Sequence, residues 1–251
     1  GTLMDHFYDL TPAKETITWL QSLGIPIVLC TSKTKSEVKI IRDDLNLNDP
    51  YIVENGGAIY GEYSDGTEWE IILGKSYTVL EEILNKLSYN INFKLRPLNT
   101  LSDDEAKDLT GLEGESLNLM RDRHWSMPFL NPPENFNADL KKLCEIYDVD
   151  IFRGNRMSHL LCKNSNKGIA IKKLLNKNKN LNVKIIGLGD SPNDLPLLIN
   201  SNHKIVISGI KGPNHLLLNE LKGTEFCISE KPHGYGWKDE VFKLITKLLN
   251  T

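Results

Sequence analysis

Short apolar runs alternating with stretches of helical period set the rhythm of this chain. Thr11-Pro12 reads as a cap followed by proline, and Ile17, Leu20 and Leu23 put an apolar stripe on the helix that follows, up to Gly24. Ile25 to Cys30 then reads as a strand. Ser36-Glu37-Val38 begins a second helix faced by Val38, Ile41 and Leu45, and Tyr51-Ile52-Val53 is a short strand running into Glu54-Asn55-Gly56-Gly57. Strand and helix in alternation predict a parallel sheet with right-handed crossovers.

After Tyr60 the pattern changes. A hairpin is expected around Ser64-Asp65-Gly66, then a helix Tyr77 to Leu87, a strand Ile91 to Leu95 and acidic helical stretches from Asp103 to Met120. A strand Trp125 to Leu130, a helix Asn135 to Tyr147 and a strand Val149 to Arg153 follow. From Lys167 the first rhythm returns, with a helix to Leu175, strands Val183–Leu188, His203–Ile207 and Glu225–Ser229, and a closing helix Trp237 to Leu249. The fold class expected is α/β: a core of residues 1–62 and 156–251, with 63–155 inserted as a smaller α+β domain.

Composition narrows the function class. The 251 residues carry 25% charged side chains and a net charge of −3, which gives no electrostatic case for nucleic acid or an anionic membrane as partner. No apolar run approaches the roughly 20 residues of a membrane span, and no signal peptide precedes the first helix. Cys30, Cys144, Cys162 and Cys227 are widely spaced and lie mostly in apolar segments, as reduced thiols of a cytoplasmic protein would. They form no zinc-like cluster. Lys172-Lys173 through Lys179 reads as the solvated end of a helix.

The candidate chemistry lies at strand ends. Gly189-Asp190-Ser191-Pro192-Asn193-Asp194 follows the apolar run Val183 to Leu188, so two carboxylates sit just past a buried strand, at the sheet edge where α/β folds bind ligands. Hard cations such as Mg²⁺ take oxygen ligands of this kind. Helix capping by Asp190 or Ser191 is the plain alternative, but it leaves the second carboxylate and Asn193 unexplained. A dinucleotide-binding glycine fingerprint is blocked by Pro192 at its third glycine position. Thr31, at the end of Val28-Leu29-Cys30, can offer its hydroxyl and the amides after it to a phosphoryl oxygen, or serve only as a cap. Lys167 stands at a helix start, beside the positive end of the dipole, where it calls for an anionic partner, a solvated surface lysine being the plain alternative.

Hydroxyl, lysine and paired acids in this order resemble the second, third and fourth motifs of haloacid dehalogenase (HAD) superfamily phosphatases. The resemblance implies a Rossmann-like parallel-sheet core with an inserted α+β cap, the segment Val53 to Tyr60 leading into that cap. It implies that Thr31 binds the transferring phosphoryl group, that Lys167 neutralises charge on it, that Asp190 ligates Mg²⁺, and that Asp194 and Asn193 complete or orient the metal shell. Ser32, Lys33 and Asn55 are then expected to bind substrate. Four further stretches, Cys30 to Thr34, Arg123 to Phe129, Arg156 with His159, and Gly234-Tyr235-Gly236-Trp237, are similar to patterns in mannosyl-3-phosphoglycerate phosphatases, enzymes of compatible-solute biosynthesis. His124 and Met127 stand where those enzymes usually carry acids. Arg123 and Arg156 can each clamp a carboxylate or phosphate through parallel donors, with a surface role as the alternative. His159 reads either as a structural histidine or, by its place beside Arg156, as a third member of that group, and Trp125 and Trp237 read as packing residues rather than sugar platforms.

Such phosphatases begin with a strand ending in Asp-x-Asp-Gly-Thr-Leu, the first Asp forming an aspartyl-phosphate and the second acting as general acid. Here Gly1-Thr2-Leu3 matches the end of that motif, so the pair is expected directly ahead of Gly1. A missing first strand would leave its neighbours' backbone groups unpaired. The expected activity is Mg²⁺-dependent hydrolysis of mannosyl-3-phosphoglycerate or its glucosyl analogue, small phosphorylated sugars being the partners. The rivals are a phosphatase for sucrose phosphate or another sugar phosphate, and a HAD-like protein that binds a phosphorylated sugar without cleaving it.

Overall fold

The computed structural model describes residues 1–5, 8–154, 156–177 and 182–250. Contacts group the chain into two compact units, Gly1–Ile27 with Lys167–Thr251, and Val28–Asn166. The second unit is wider than the expected insertion at 63–155, because Leu29 and Thr31 are hydrogen-bonded to Ile52 and so tie the preceding loop to the sheet that follows.

Helix α1 spans Thr11–Ser22 and buries Ala13, Ile17 and Leu20, whereas Leu23 is exposed. Thr11 is its first residue and not its cap; the Thr11 N–H donates to Asp9 Oδ1 at 2.9 Å. Ile25–Cys30 does not form the expected strand. Pro26 has no N–H to give a ladder, and pairing is confined to one parallel bridge, Cys30 to Ile52.

In the second unit, α2 (Lys35–Asp44) starts at a capping box. Thr34 Oγ1 accepts the Glu37 N–H, and the Glu37 carboxylate accepts the Thr34 N–H at 2.9 Å. Strands β1 (Tyr51–Val53), β2 (Ala58–Glu62) and β3 (Glu68–Ile72) form an antiparallel sheet. The β2–β3 turn is the expected one, with Gly66 at φ 82° and Asp65 accepting the Thr67 N–H. Helix α3 (Tyr77–Asn90) is followed by α4 (Asp103–Thr110) and α5 (Gly114–Arg121), split at Gly111 with φ 76°. Then come β4 (Met127–Leu130), α6 (Asn137–Tyr147), β5 (Val149–Arg153) and β6 (Met157–Cys162), in an antiparallel sheet of order β4-β6-β5. Leu80, Leu84 and Leu87 of α3 and Leu140 of α6 pack on Met127, Phe129 and Leu160 of the sheet. Each such side chain contributes about 1.5–3 kcal/mol by leaving water.

Ile91–Leu95, expected as a strand, is a loop. The Phe93 N–H donates to the Ser88 carbonyl and the Leu95 N–H to Ser88 Oγ, so its donors serve the end of α3. Its apolar residues are still used, since Leu95 is buried in the same cluster.

The first unit resumes with α7 (Lys167–Lys177), β7 (Ile186–Gly189), α8 (Leu195–Ile199), β8 (His203–Ser208), α9 (His215–Glu220), β9 (Cys227–Pro232) and α10 (His233–Leu249). Strands β7, β8 and β9 form a parallel sheet in that order, as the alternating rhythm predicts. Strand β7 starts later than Val183: Ile185 lies just ahead of it, giving its N–H to the Asn202 side chain while its carbonyl accepts the N–H of His203, the first residue of β8. Lys172 and Lys173 are exposed, and Lys179 lies outside the described residues. Of the cysteines, Cys144 and Cys162 are buried and Cys227 is exposed. Burial, then the charges of Asp150 and Glu145, push the Cys144 thiol up to about 11. No helix of the described residues is long and apolar enough to cross a membrane.

Candidate active site

The C-terminal end of β7 delivers the acidic motif into a single 3₁₀ turn, Pro192–Asp194. Asp194 is buried and organises it. Its Oδ2 accepts the N–H groups of Asp190 and Ser191 at 2.9 and 3.1 Å, and its Oδ1 accepts Lys167 Nζ at 2.6 Å. Lys167 at the start of α7 therefore has the anionic partner that its position demands, and it is a side chain of the same unit. Gly189 permits the close return of the turn: a Cβ there would lie 2.3 Å from the Asp194 Cβ. Gly189→Ala should for that reason distort the turn and lower thermal stability, which a melting curve checks.

With both Asp194 oxygens engaged, the half-buried Asp190 is the carboxylate of the motif that faces other partners. Its Oδ1 accepts the Thr2 hydroxyl. Asn193 Oδ1 accepts Ser191 Oγ at 2.6 Å, which fixes the amide. Among the described residues no cluster of three or more His, Cys, Asp or Glu is assembled. This donor set still fits Mg²⁺, which keeps several waters and is commonly held by one or two carboxylates together with substrate phosphate.

The second unit holds Thr31, Ser32, Lys33, Asn55 and Arg123. Thr31 Oγ1 accepts the Lys33 N–H at 3.2 Å, closing a short turn after the Cys30 bridge. Lys33 Nζ is paired with Glu37 Oε1 at 2.8 Å. Burial raises the Glu37 carboxyl, but the Lys33 and Arg123 charges outweigh it and hold the group below the ordinary carboxylate range. Arg123 is buried; its Nε donates to the Met120 carbonyl, and its Nη1 donates to the Ser32 carbonyl at 2.8 Å and to Ser126 Oγ at 3.2 Å. Arg156 is exposed just ahead of β6 and donates to the Thr110 carbonyl. His159 sits on the central strand β6, opposite Pro128 and Phe152. Trp125 gives its Nε1–H to Tyr60 and Trp237 is buried, so both pack.

Glu54 is the residue that sequence reasoning passed over. It is 1% exposed, has φ 48°, and its carboxylate accepts the N–H groups of His124 and Trp125 and the Ser126 hydroxyl at 2.9, 3.1 and 2.6 Å. The signal was its place beside Asn55-Gly56-Gly57: an acid inside a glycine-rich turn that continues a buried strand.

Comparison with known proteins gives the family. Residues 1–208 match the haloacid dehalogenase-like hydrolase family. A protein of Persephonella marina named glucosyl-3-phosphoglycerate/mannosyl-3-phosphoglycerate phosphatase is 30% identical over 265 residues, covering 99% of this chain and 95% of its own. A protein of the same name from Methanococcoides burtonii is 29% identical over 264 residues, covering 98% and 95%. The crystal structure of a Thermoplasma acidophilum protein, 21% identical, superposes with a TM-score of 0.70 over 98% of this chain and 94% of that one. The chain belongs to the haloacid dehalogenase-like hydrolases, and its α/β fold is theirs.

Proposed function

We propose that the protein is a Mg²⁺-dependent phosphatase that hydrolyses the phosphate ester of glucosyl- and mannosyl-3-phosphoglycerate. The observation that carries the reading is the buried Lys167–Asp194 pair, whose carboxylate also grips the Asp190 and Ser191 amides and so fixes a half-buried Asp190 at the end of a parallel strand. Phosphoryl transfer asks a protein mainly for positioning and charge stabilisation, and these groups supply both. Mg²⁺, when bound, neutralises phosphate charge; Asp190 would hold it, with Asn193 beside it and Asp194 orienting the turn. Lys167 offers charge to the phosphoryl group, and Thr31 and Ser32 offer hydroxyls and amides to its oxygens. Phosphatases of this family take nucleophile and acid from an Asp-x-Asp pair, so the test uses a chain that carries one.

Residues 63–155 act as the cap, and Arg156 and His159 recognise the glycerate carboxylate or the sugar. The two curated relatives support the substrate class through the activity in their names. The test is phosphate release from both glycosyl-3-phosphoglycerates, from sucrose phosphate and from 4-nitrophenyl phosphate. A charge-assisted bond to the glycerate carboxylate is worth about 1.5–3 kcal/mol, so kcat/KM on the two glycerates should exceed that on sucrose phosphate by about 10- to 100-fold. Arg156→Ala should erase most of that margin. Equal rates on all substrates would remove the glycerate specificity, and substrate binding with no turnover would establish the binder instead.

A further inference from the structure

Three consecutive carbonyls of the Thr31–Lys33 loop are each held by a donor from outside the loop. The Thr31 carbonyl accepts the Asn55 N–H at 2.8 Å, the Ser32 carbonyl accepts Arg123 Nη1 at 2.8 Å, and the Lys33 carbonyl accepts the Glu54 N–H at 2.9 Å. The two backbone donors come from residues in left-handed conformation, Glu54 at φ 48° and Asn55 at φ 61°. Such values are uncommon for residues with a side chain and persist only where the surroundings over-determine them. What fixes them here is the Glu54 side chain, which is anchored to the 124–126 segment by three donors. Ser126 closes the circuit: its hydroxyl donates to Glu54 Oε2 and accepts from Arg123 Nη1.

We infer that Glu54 and Arg123 are positioning residues that lock the Thr31–Lys33 loop into an anion-accepting shape by tying back its carbonyl oxygens. An oxyanion is repelled by carbonyl lone pairs and attracted by amides and hydroxyls, so a phosphate loop works best when its own acceptors are already engaged. A buried network with every member satisfied is also rigid, which spares the loop any reorganisation when the anion arrives. Arg123 thus acts through Ser32, while Glu54 acts through its own backbone and Ser126. The inference rests on Thr31 and Ser32 being the phosphoryl-binding groups, as proposed above.

The experiment compares wild type with Arg123→Ala, Arg123→Lys and Glu54→Gln. Losing a bond from a charged group lowers kcat/KM about 10- to 100-fold. For Arg123→Ala that loss should be equal on glycosyl-3-phosphoglycerate and on 4-nitrophenyl phosphate, because the loop meets the phosphate of both. Arg123→Lys, which keeps one charged donor, should recover part of it, and guanidinium ions should partly rescue Arg123→Ala. Calorimetric affinity for inorganic phosphate should fall about tenfold in Arg123→Ala and Glu54→Gln, a measurement that needs no turnover and so separates this inference from the assigned reaction. Circular dichroism confirms that each variant is folded; where Glu54→Gln is not, the arginine pair of variants decides. A loss confined to the glycerate substrate would place Arg123 against the glycerate and overturn the inference, as would unchanged phosphate affinity in folded variants.

Discussion

Lys167→Met is expected to lower the unfolding free energy by about 3–5 kcal/mol, the usual cost of breaking a buried ion pair from one side. Both partners are almost fully enclosed, at 5% and 6% side-chain exposure, so solvent screens the pair little. Removing the ammonium strips Asp194 Oδ1 of its charged donor while Oδ2 keeps the two amides. A smaller loss is expected from the double variant Lys167→Met with Asp194→Asn, because it removes the unpaired charge while the amide oxygen can still accept the Asp190 and Ser191 N–H groups. Urea denaturation of wild type, both single variants and the double variant gives the coupling energy directly. A coupling near zero would show that the pair contributes nothing to the turn. Lys167→Met should also reduce kcat more than it raises KM, since charge stabilisation is strongest in the transition state.

Asp190→Asn should lower phosphate release by at least about 100-fold, on the scale seen when residues around a metal are altered, and raise the Mg²⁺ concentration needed for half-maximal rate. The amide keeps the size of the carboxylate and one acceptor oxygen but loses the negative charge that offsets the dehydration of a hard cation. The turn should survive: Asp194 holds residue 190 through its backbone N–H, which the substitution leaves in place. Titration calorimetry with Mg²⁺ alone, set beside a melting curve of the apoprotein, separates a metal defect from a folding defect. Unchanged Mg²⁺ affinity would move the metal away from Asp190.

Much of this was legible from the chain alone, for a physical reason. Elements with a strong apolar pattern declare themselves: α1, α3, α6, α7 and β5 lie close to where that pattern puts them, and the Asp65-Gly66 turn forms as expected. The sequence order of hydroxyl, lysine and paired acids likewise pointed to the hydrolase family that the chain proves to belong to. The strands that the apolar pattern misplaces are those whose backbone donors go elsewhere. Ile91–Leu95 gives its amides to Ser88, and Ile25–Cys30 carries Pro26. Both segments are apolar enough for a strand, and pattern cannot reveal a competing acceptor.

The alternation of elements, the class of fold and the identities of the charged residues available for chemistry can all be read along the chain. Their partners come from the folded arrangement. Lys167 turned out to face Asp194, 27 residues away, and Arg123 to donate to a carbonyl 91 residues away. Glu54, which looked like part of a turn, became the anchor of a segment 70 residues on. Periodicity and capping are governed by neighbours within a few positions, so they can be read along the chain. A buried charge is governed by whichever donor the folded backbone brings within about 3 Å, and that depends on every element between the two.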